Sequence, residues 1–375
     1  MGAIRAAGER GVNIEFFASK TITFYMARMF LIRSMAVLAA LVIILMALDL
    51  LGESGDILAH PGNGDAALWY YVGLRVPQIV ARFLPFAVLL GTLITLATLN
   101  QNSEVISMKA AGISAHQILA PLIVASLGVA AVSFWFNDRV VARSTATLNA
   151  WQNADYGPLP RNRGVVGNVW VRDGDDLIHA DGARGRGRTT RLDHVTLYDR
   201  KGGRLEAIIR APSAVQAEGG WRLDHATRFD VDGDALTRLP PVIVARGVSP
   251  DRFTLANVDP DEKSFGALRI AIHDLKAAGR PTGPLEAGLW HKISGPLSAL
   301  LMPLLAGVAG FGLARSGRLF VRAVIGMGLG FAYFVADNFG LAMGNLGAYP
   351  PLLAAWGPFG LFLLIGEAVL IRTEE

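Results

Sequence analysis

The sequence predicts an α-helical membrane protein with six spanning helices, three on each side of an inserted all-β domain of jelly-roll type. Three observations carry that class. Hydrophobic residues make up 52% of the 375 positions and charged residues only 18%, against about 25% charged in an ordinary soluble domain. Mean hydropathy is +0.39, but the apolar blocks lie at the two ends of the chain and most of the charge falls between Asp155 and Glu262. Within that charged middle, apolar and polar residues alternate with the period of a half-buried strand.

The spans come first. A bilayer core about 30 Å thick needs about 20 mostly apolar helical residues to cross it, and segments 23–51, 76–99, 118–136, 293–313, 321–343 and 352–371 approach that length. Residues 1–20 hold no apolar core, so the first span serves as its own uncleaved insertion signal. Arg5, Arg10, Lys20, Arg28 and Arg33 precede or open that span, and Arg315 and Arg318 lie between the fourth and fifth, followed by Arg322. The first connection carries Glu53, Asp56 and Asp65 without a basic residue before Arg75. By the positive-inside rule both termini are cytoplasmic and the middle domain is periplasmic.

In the middle domain, Trp221 and Leu223 alternate with Arg222 and Asp224, and Phe229 and Val231 with Arg228 and Asp230. Further strands are expected at 168–172, 177–180, 195–198 and 205–210, separated by turns such as Asp173-Gly174-Asp175 and Lys201-Gly202-Gly203. An amphipathic helix near 265–278 leads back to the membrane. The resulting plan is a cytoplasmic segment 1–21, spans one to three within 22–137, a periplasmic domain and connecting helix over 138–290, and spans four to six within 291–375.

Several chemistries are excluded. The net charge of +4 forms no basic stripe with interleaved aromatics, so nucleic acid is not expected as a partner. No phosphate-cradling Gly-x-x-x-x-Gly-Lys-Ser/Thr loop, His-Glu-x-x-His pair or Gly-x-Ser-x-Gly elbow occurs. Cysteine is absent, and the seven histidines lack metal-ligand spacing. No enzyme activity, cofactor or metal is expected.

Four groups of residues are candidates for function. The segment 101–114 reads as a short cytoplasmic surface helix. Ser103 would cap it, Glu104, Ile106, Met108 and Lys109 would lie along it, and Gly112 would end it. It suits docking of a cytosolic partner, or is simply a connecting helix. Arg75 with Arg82, and Arg139 with Arg143, place basic charge at the outer ends of the second and third spans, against the usual inner bias. They suit an anionic ligand, since arginine grips phosphate with paired charge-assisted hydrogen bonds, or they snorkel to lipid headgroups. Asp49, Asp337 and Asn338 are polar groups in spans, where such residues face a partner or a cavity. Gly326 and Gly330 form a Gly-x-x-x-Gly pair that permits close helix packing, as do Gly340 and Gly344.

Read together, Pro85-Phe86-Ala87-Val88-Leu89-Leu90-Gly91, Ser103-Glu104-Val105, Lys109-Ala110-Ala111-Gly112-Ile113-Ser114, Leu289-Trp290-His291-Lys292-Ile293 with Pro296-Leu297, Gly330-Phe331 and Asp337-Asn338 resemble the lipopolysaccharide export permease family, the LptF/LptG type. The resemblance covers nearly the whole chain. Within the family, Val169-Trp170-Val171-Arg172-Asp173-Gly174 is more similar to the G-type subunit. The resemblance implies a lipopolysaccharide exporter in the bacterial inner membrane. Its expected partners are a homologous permease, a cytosolic ATP-binding-cassette dimer that binds the ATP, a single-span subunit with its own periplasmic domain, and a periplasmic bridge protein. It places Glu104 and its neighbours on a helix that couples to the ATPase. Where G-type members often carry a lysine this chain has Met46, and where another basic position is common it has Gln78. Phosphate contacts are therefore expected on Arg75, Arg82, Arg139 and Arg143. The competing readings are an exporter of another envelope lipid or of lipoproteins, a membrane-anchored enzyme using Asp193, His194, Asp224 or His225, and a scaffold without transport.

Overall fold

The computed structural model describes residues 19–374 except 159–165, 186–188, 218, 232, 234, 255–257, 278 and 311–318. The expected charges Arg5, Arg10, Arg315 and Arg318 lie outside the described residues. The chain divides into two compact units, one drawn from Met1–Gly157, Pro260–Leu268 and Gly283–Glu375, the other from Pro158–Asp259 and Arg269–Thr282.

The first unit is a helical bundle. Its helices are α1 (Lys20–Ala59), α2 (Asp65–Gln101), the short α3 (Glu104–Ala110), α4 (Ala115–Phe136), α5 (Ala142–Gln152), α8 (Gly283–Gly310), α9 (Leu319–Asn345) and α10 (Pro351–Glu374). Five stretches among the described residues are long and apolar enough to cross a membrane: α1, α2, the Ala115–Gln152 run, Val324–Asn345 and Pro351–Arg372. Helix α8 has 28 residues and stops where the described residues stop; the end of the expected fourth span, at 311–313, lies outside them.

Two boundaries differ from the sequence expectation. Helices α1 and α2 run well past the apolar stretches, so their connection shrinks to residues 60–64, and Glu53, Asp56 and Asp65 are helical rather than in a loop. The third span does not end at 136. It passes through a π-helical turn, Asn137–Val141, and continues as α5 to Gln152. Polar Asn137, Asp138 and Arg139 look like a terminus in sequence, but Asn137 Nδ2 bonds back to the Ser133 carbonyl at 2.9 Å and Asp138 accepts from the backbone N–H of Phe265. The helix therefore satisfies these groups without stopping.

The interior follows the apolar faces: Phe30, Leu89, Leu96, Leu99, Leu119, Leu122, Leu301 and Leu305 are buried in one cluster. Close backbone approach is built in with small residues. A Cβ added at Gly91 would fall 2.7 Å from the Ser34 Cα, which joins α1 to α2. Gly330 sits against Leu89, Gly340 against the Ala354 carbonyl, and Gly344 against the Cβ atoms of Ala354 and Ala287. Gly326 is buried too. For Gly330, Gly340 and Gly344 the packing partner is this chain's own α2, α8 or α10.

The second unit holds β1 (Val166–Asp173), β2 (Asp176–Arg184), β3 (Arg191–Lys201), β4 (Arg204–Ala217), β5 (Gly220–Asp224), β6 (Thr227–Asp230), β7 (Ala235–Arg238) and β8 (Val242–Val244), followed by α6 (Asp251–Thr254). The amphipathic α7 (Phe265–Ala277) appears where the sequence predicts it, beginning in the first unit and passing into the second. The strands form one antiparallel sheet in the order β1-β2-β3-β4-β5-β8, with β6 on β4 and β7 on β6. This meander refines the expected jelly roll, whose strands would follow Greek-key connections. Alternation sets the core face: Val169 and Val171, Ile178 and Ala180, Val195 and Leu197, and Ile209 and Ala211 are all buried. Trp221 closes the core, its Nε1 donating to the Val248 carbonyl at 2.9 Å and its ring edge-on to Phe253. The β3–β4 hairpin turns on Gly202 and Gly203, at φ +56° and +82°. That left-handed pair is what a two-residue type I′ turn demands.

Candidate functional sites in the membrane unit

Helix α3 forms as expected between α2 and α4, and Gly112 ends it. Gly112, at φ +83°, donates its N–H to the Lys109 carbonyl at 3.0 Å, and Ile113 donates to Met108 at 3.1 Å. Those two bonds are a Schellman motif, and Met108 and Ile113 each pack against the bundle core. The start departs from expectation. Ser103 occupies the N-cap position, but at φ +60° its hydroxyl caps nothing. N-capping needs an extended backbone to aim the side-chain oxygen at the first turn. Glu104 Oε1 instead accepts from Tyr25 Oη at 3.4 Å and Asn102 Nδ2 at 3.3 Å. Val105 is buried, whereas Ile106 is 53% exposed and Lys109 is exposed. The next helix starts on a full capping box between Ser114 and Gln117. The outcome is a short helix pinned at both ends that shows a branched apolar side chain to the outside.

Asp49 does not stand alone at an interface. Arg75 grips it in bidentate fashion, Nε to Oδ2 at 3.0 Å and Nη2 to Oδ1 at 2.8 Å, while Tyr71 donates to Oδ2 at 2.6 Å. The third arm of Arg75 reaches Gln78 Oε1 at 2.8 Å. The cluster ties α1 to α2, and Arg75 spends its guanidinium donors inside the chain. Tyr71, Arg75 and Gln78 recur at helical spacing (i, i+4, i+7). That spacing is the signal by which the cluster was readable, and Tyr71 is the member that sequence reasoning missed. Met46, at the position of the absent lysine, is buried.

Arg82, Arg139 and Arg143 are exposed. Arg139 lies 3.7 Å from Asp138; neither Arg82 nor Arg143 has an ion pair among the described residues. The structure thus separates the four expected arginines into one held internally and three presented outward.

A cavity of about 440 Å³ opens between α2, the π turn with its flanking helices, α8 and α9. Arg82 and Gln78 line it from α2, and His291 and Asp337 from α8 and α9. His291 Nε2 lies 3.0 Å from Asp337 Oδ2. Asn338 also lines the cavity, its amide donating to the Phe334 carbonyl of its own helix at 2.8 Å.

Just beyond α5, Tyr156 donates a short hydrogen bond to Glu53 of α1. Burial, and then this bond to a carboxylate, push the Tyr156 phenol up to about 12. A group whose folded value is raised contributes stability that is complete below its unfolded value, near 10 for tyrosine, and is lost as pH rises through the folded value. The protein is therefore expected to lose about 2 kcal/mol more than its Tyr156→Phe variant between pH 10 and 12. Thermal unfolding in detergent across that range checks it; parallel pH curves for the two proteins would refute it.

Asp193 is paired with Arg184 at 2.6 Å and Asp224 with Arg222 at 3.4 Å, in separate pairs. No group of three potential metal ligands occurs among the described residues.

Comparison with known proteins shows the family. The family described as lipopolysaccharide export system permease LptF/LptG matches residues 24–372. The chain belongs to that family. Lipopolysaccharide export system permease protein LptG of Escherichia coli (strain K12) is 28% identical over 331 residues, covering 84% of this chain and 89% of the relative. The LptG of Haemophilus influenzae is 25% identical over 335 residues, with the same coverage. As a lipopolysaccharide export permease the chain is a multi-pass membrane protein and the permease subunit of an ATP-binding-cassette exporter, in which ATP hydrolysis lies with a partner.

Proposed function

We propose that this permease is the G-type subunit of its exporter, embedded in the inner membrane with both termini cytoplasmic and the β unit periplasmic. With a related permease it encloses a cavity facing the outer leaflet. Lipopolysaccharide enters there and passes through the β unit to a single-span subunit's domain and a periplasmic bridge, while a cytosolic ATPase dimer docks on α3. The observation that carries the docking is the pinned α3 with Ile106 turned outward.

The energetics call for that division of labour. Each buried acyl CH₂ is worth about 0.8 kcal/mol, so a lipid with several chains does not leave a bilayer unaided. The permease supplies a route, and the partner supplies the work. The deciding experiment reconstitutes the chain in vesicles with candidate partners and lipopolysaccharide, and measures ATP-dependent delivery to an acceptor bridge protein. ATP hydrolysis without any lipid delivery would favour the scaffold reading, and delivery of lipoprotein alone would favour a different exporter.

Arg82 is the best-placed phosphate ligand in this scheme, because it is exposed at the cavity and Arg75 is engaged with Asp49. A charge-assisted hydrogen bond contributes about 1.5–3 kcal/mol. Arg82→Ala is therefore expected to weaken lipopolysaccharide binding about tenfold or more, with a flatter salt dependence, as measured by photo-crosslinking of the lipid. Unchanged crosslinking would remove Arg82 from the path.

A further inference from the structure

The sheet of the β unit carries an aromatic and basic surface on the side away from its core. Directly opposed residues of an antiparallel pair project to the same face, so the register can be followed from strand to strand. One row runs Trp170, His179, Thr196, Arg210, Thr227 and Arg238 through β1, β2, β3, β4, β6 and β7. The neighbouring row runs Arg172, Leu177, Tyr198, Ile208, Phe229 and Leu236 through the same strands. None of these residues belongs to the buried core, which takes the alternate positions such as Val169, Ile178, Val195 and Ile209.

Trp170 is the anchor of this surface. Its ring centroid lies 4.5 Å from that of His179, and 5.7 Å from that of Tyr198 with the planes only 17° apart. Tyr198 is two strands away, so the indole lies across the sheet instead of standing off it. It is nevertheless 51% exposed. Cross-strand aromatic pairs stabilise a sheet without leaving a ring open; here the ring is held in place and still uncovered, and a side chain fixed beforehand loses little freedom on binding. Every charged residue along the two rows is basic: Arg172, Arg210 and Arg238, all exposed. Arg172 is occupied with the Gly174 carbonyl and Asp175, whereas Arg210 and Arg238 have no ion pair among the described residues. Asp181 lies beside the rows, 3.7 Å from His179. An apolar protein segment laid here would bury the threonines and arginines of the first row without partners, which is costly. A sugar ring fits better. Its C–H face packs on an aromatic face, its rim of hydroxyls bonds to threonine and arginine, and a phosphate ester on it pairs with a guanidinium through two parallel bonds.

We propose that the face of the sheet around Trp170 is a binding site for the phosphorylated sugar head of the exported lipid, with the glycan lying on Trp170 and Tyr198 and a phosphate reaching Arg210. The identity of that ligand rests on the proposed function. The site belongs to the β unit and takes the polar end of the molecule, so it needs no acyl chain and none of the cavity residues. A second grip on one molecule raises its effective concentration where the grip lies. Holding the head on the β unit therefore opposes return of the lipid to the bilayer.

The test uses the full-length chain in phosphatidylcholine nanodiscs. The probe is deacylated lipopolysaccharide, the sugar–phosphate part freed of its acyl chains, and calorimetry reads its binding. The native chain is expected to bind the probe, and Trp170→Ala to bind it at least about tenfold more weakly, as loss of a central aromatic commonly does, with thermal unfolding as the control for folding. Arg210→Gln is expected to weaken binding about threefold, and to have no effect once the probe has been treated with phosphatase, whereas Trp170→Ala weakens both forms. Arg210 is exposed, so this second variant decides the matter if Trp170→Ala does not fold. Equal binding by the native chain and Trp170→Ala, or no binding by the native chain, overturns the proposal. Binding lost in Arg82→Ala and kept in Trp170→Ala would put the glycan in the membrane cavity and overturn it too. Delivery of intact lipopolysaccharide is measured apart, in the vesicle assay. Its absence beside Trp170-dependent binding of the probe would count against the export scheme alone and leave the glycan site standing.

Discussion

Reversing the charge of Glu104 together with making Ile106 polar is expected to uncouple the permease from its ATPase almost completely. In Glu104→Lys/Ile106→Asp the cytosolic ATPase should no longer co-purify, and ATP-driven lipid delivery should fall to background. Helix α3 is seven residues long, too short to be stable by itself. It holds its shape through the Schellman end at Gly112, the buried Val105, and Met108 packed on the core. The double substitution leaves these three in place and removes only the long bonds that Glu104 accepts from Tyr25 and Asn102, so the helix should remain folded while its outward side chains change. Interfaces concentrate their energy in a few central residues, and losing one commonly costs 2 kcal/mol or more; placing a carboxylate where an apolar contact was buried adds a desolvation cost. Together the two changes predict at least a thousandfold loss of affinity, since each 1.4 kcal/mol is a factor of ten. Co-purification and vesicle delivery assays measure this directly, with unchanged thermal unfolding as the control for folding. Retained co-purification with full delivery would show α3 to be only a connection, and the coupling would have to lie elsewhere.

The residues explain which parts of this fold were legible in the sequence. Apolar blocks located the helices, because the membrane imposes length and composition together. The strands at 168–172, 177–180, 195–198 and 205–210 lie within β1 to β4 because burial on one face enforces strict alternation. Short β7 and β8 escaped notice, since three or four residues carry no period. The continuation of the third span through 137–152 was hidden by its composition: Asn137, Asp138, Arg139 and Arg143 read as a solvated end, while the π turn and the bond from Asp138 to the start of α7 depend on contacts between segments far apart in sequence. Ser103 shows the same limit at a single position. Its residue type favours a cap, but the tight exit from α2 twists it into the left-handed region and removes the function. The candidate site was legible as a set of residue types and not as a set of partners. Nothing local to Asp49 announces Arg75, which lies 26 residues on and in another helix, and nothing local to His291 announces Asp337.

Breaking the Asp49–Arg75 clasp is expected to destabilise the bundle by about 3 kcal/mol, and removing both charges together by much less. The pair is partly sheltered, with side-chain exposures of 22% and 34%, and its two parallel bonds are the strong geometry for arginine and carboxylate. Asp49→Ala leaves Arg75 with its charge facing α1 and leaves Tyr71, fully buried, without an acceptor for its hydroxyl. Each of those unsatisfied groups costs about 1–3 kcal/mol, whereas Asp49→Asn/Arg75→Gln keeps hydrogen-bonding atoms and discards the charges. Thermal unfolding of the native chain, Asp49→Asn, Arg75→Gln and the double variant forms a cycle, and the coupling it yields should be at least 1 kcal/mol in favour of the native pair. The same four proteins also test what the clasp does for transport. If Arg75 serves only to lock α1 to α2, the double variant should bind lipopolysaccharide as the native chain does and deliver it at a comparable rate. A double variant that is stable yet fails to bind the lipid would mean that Arg75 leaves Asp49 to take a phosphate, restoring it beside Arg82, Arg139 and Arg143 as a ligand for the transported lipid.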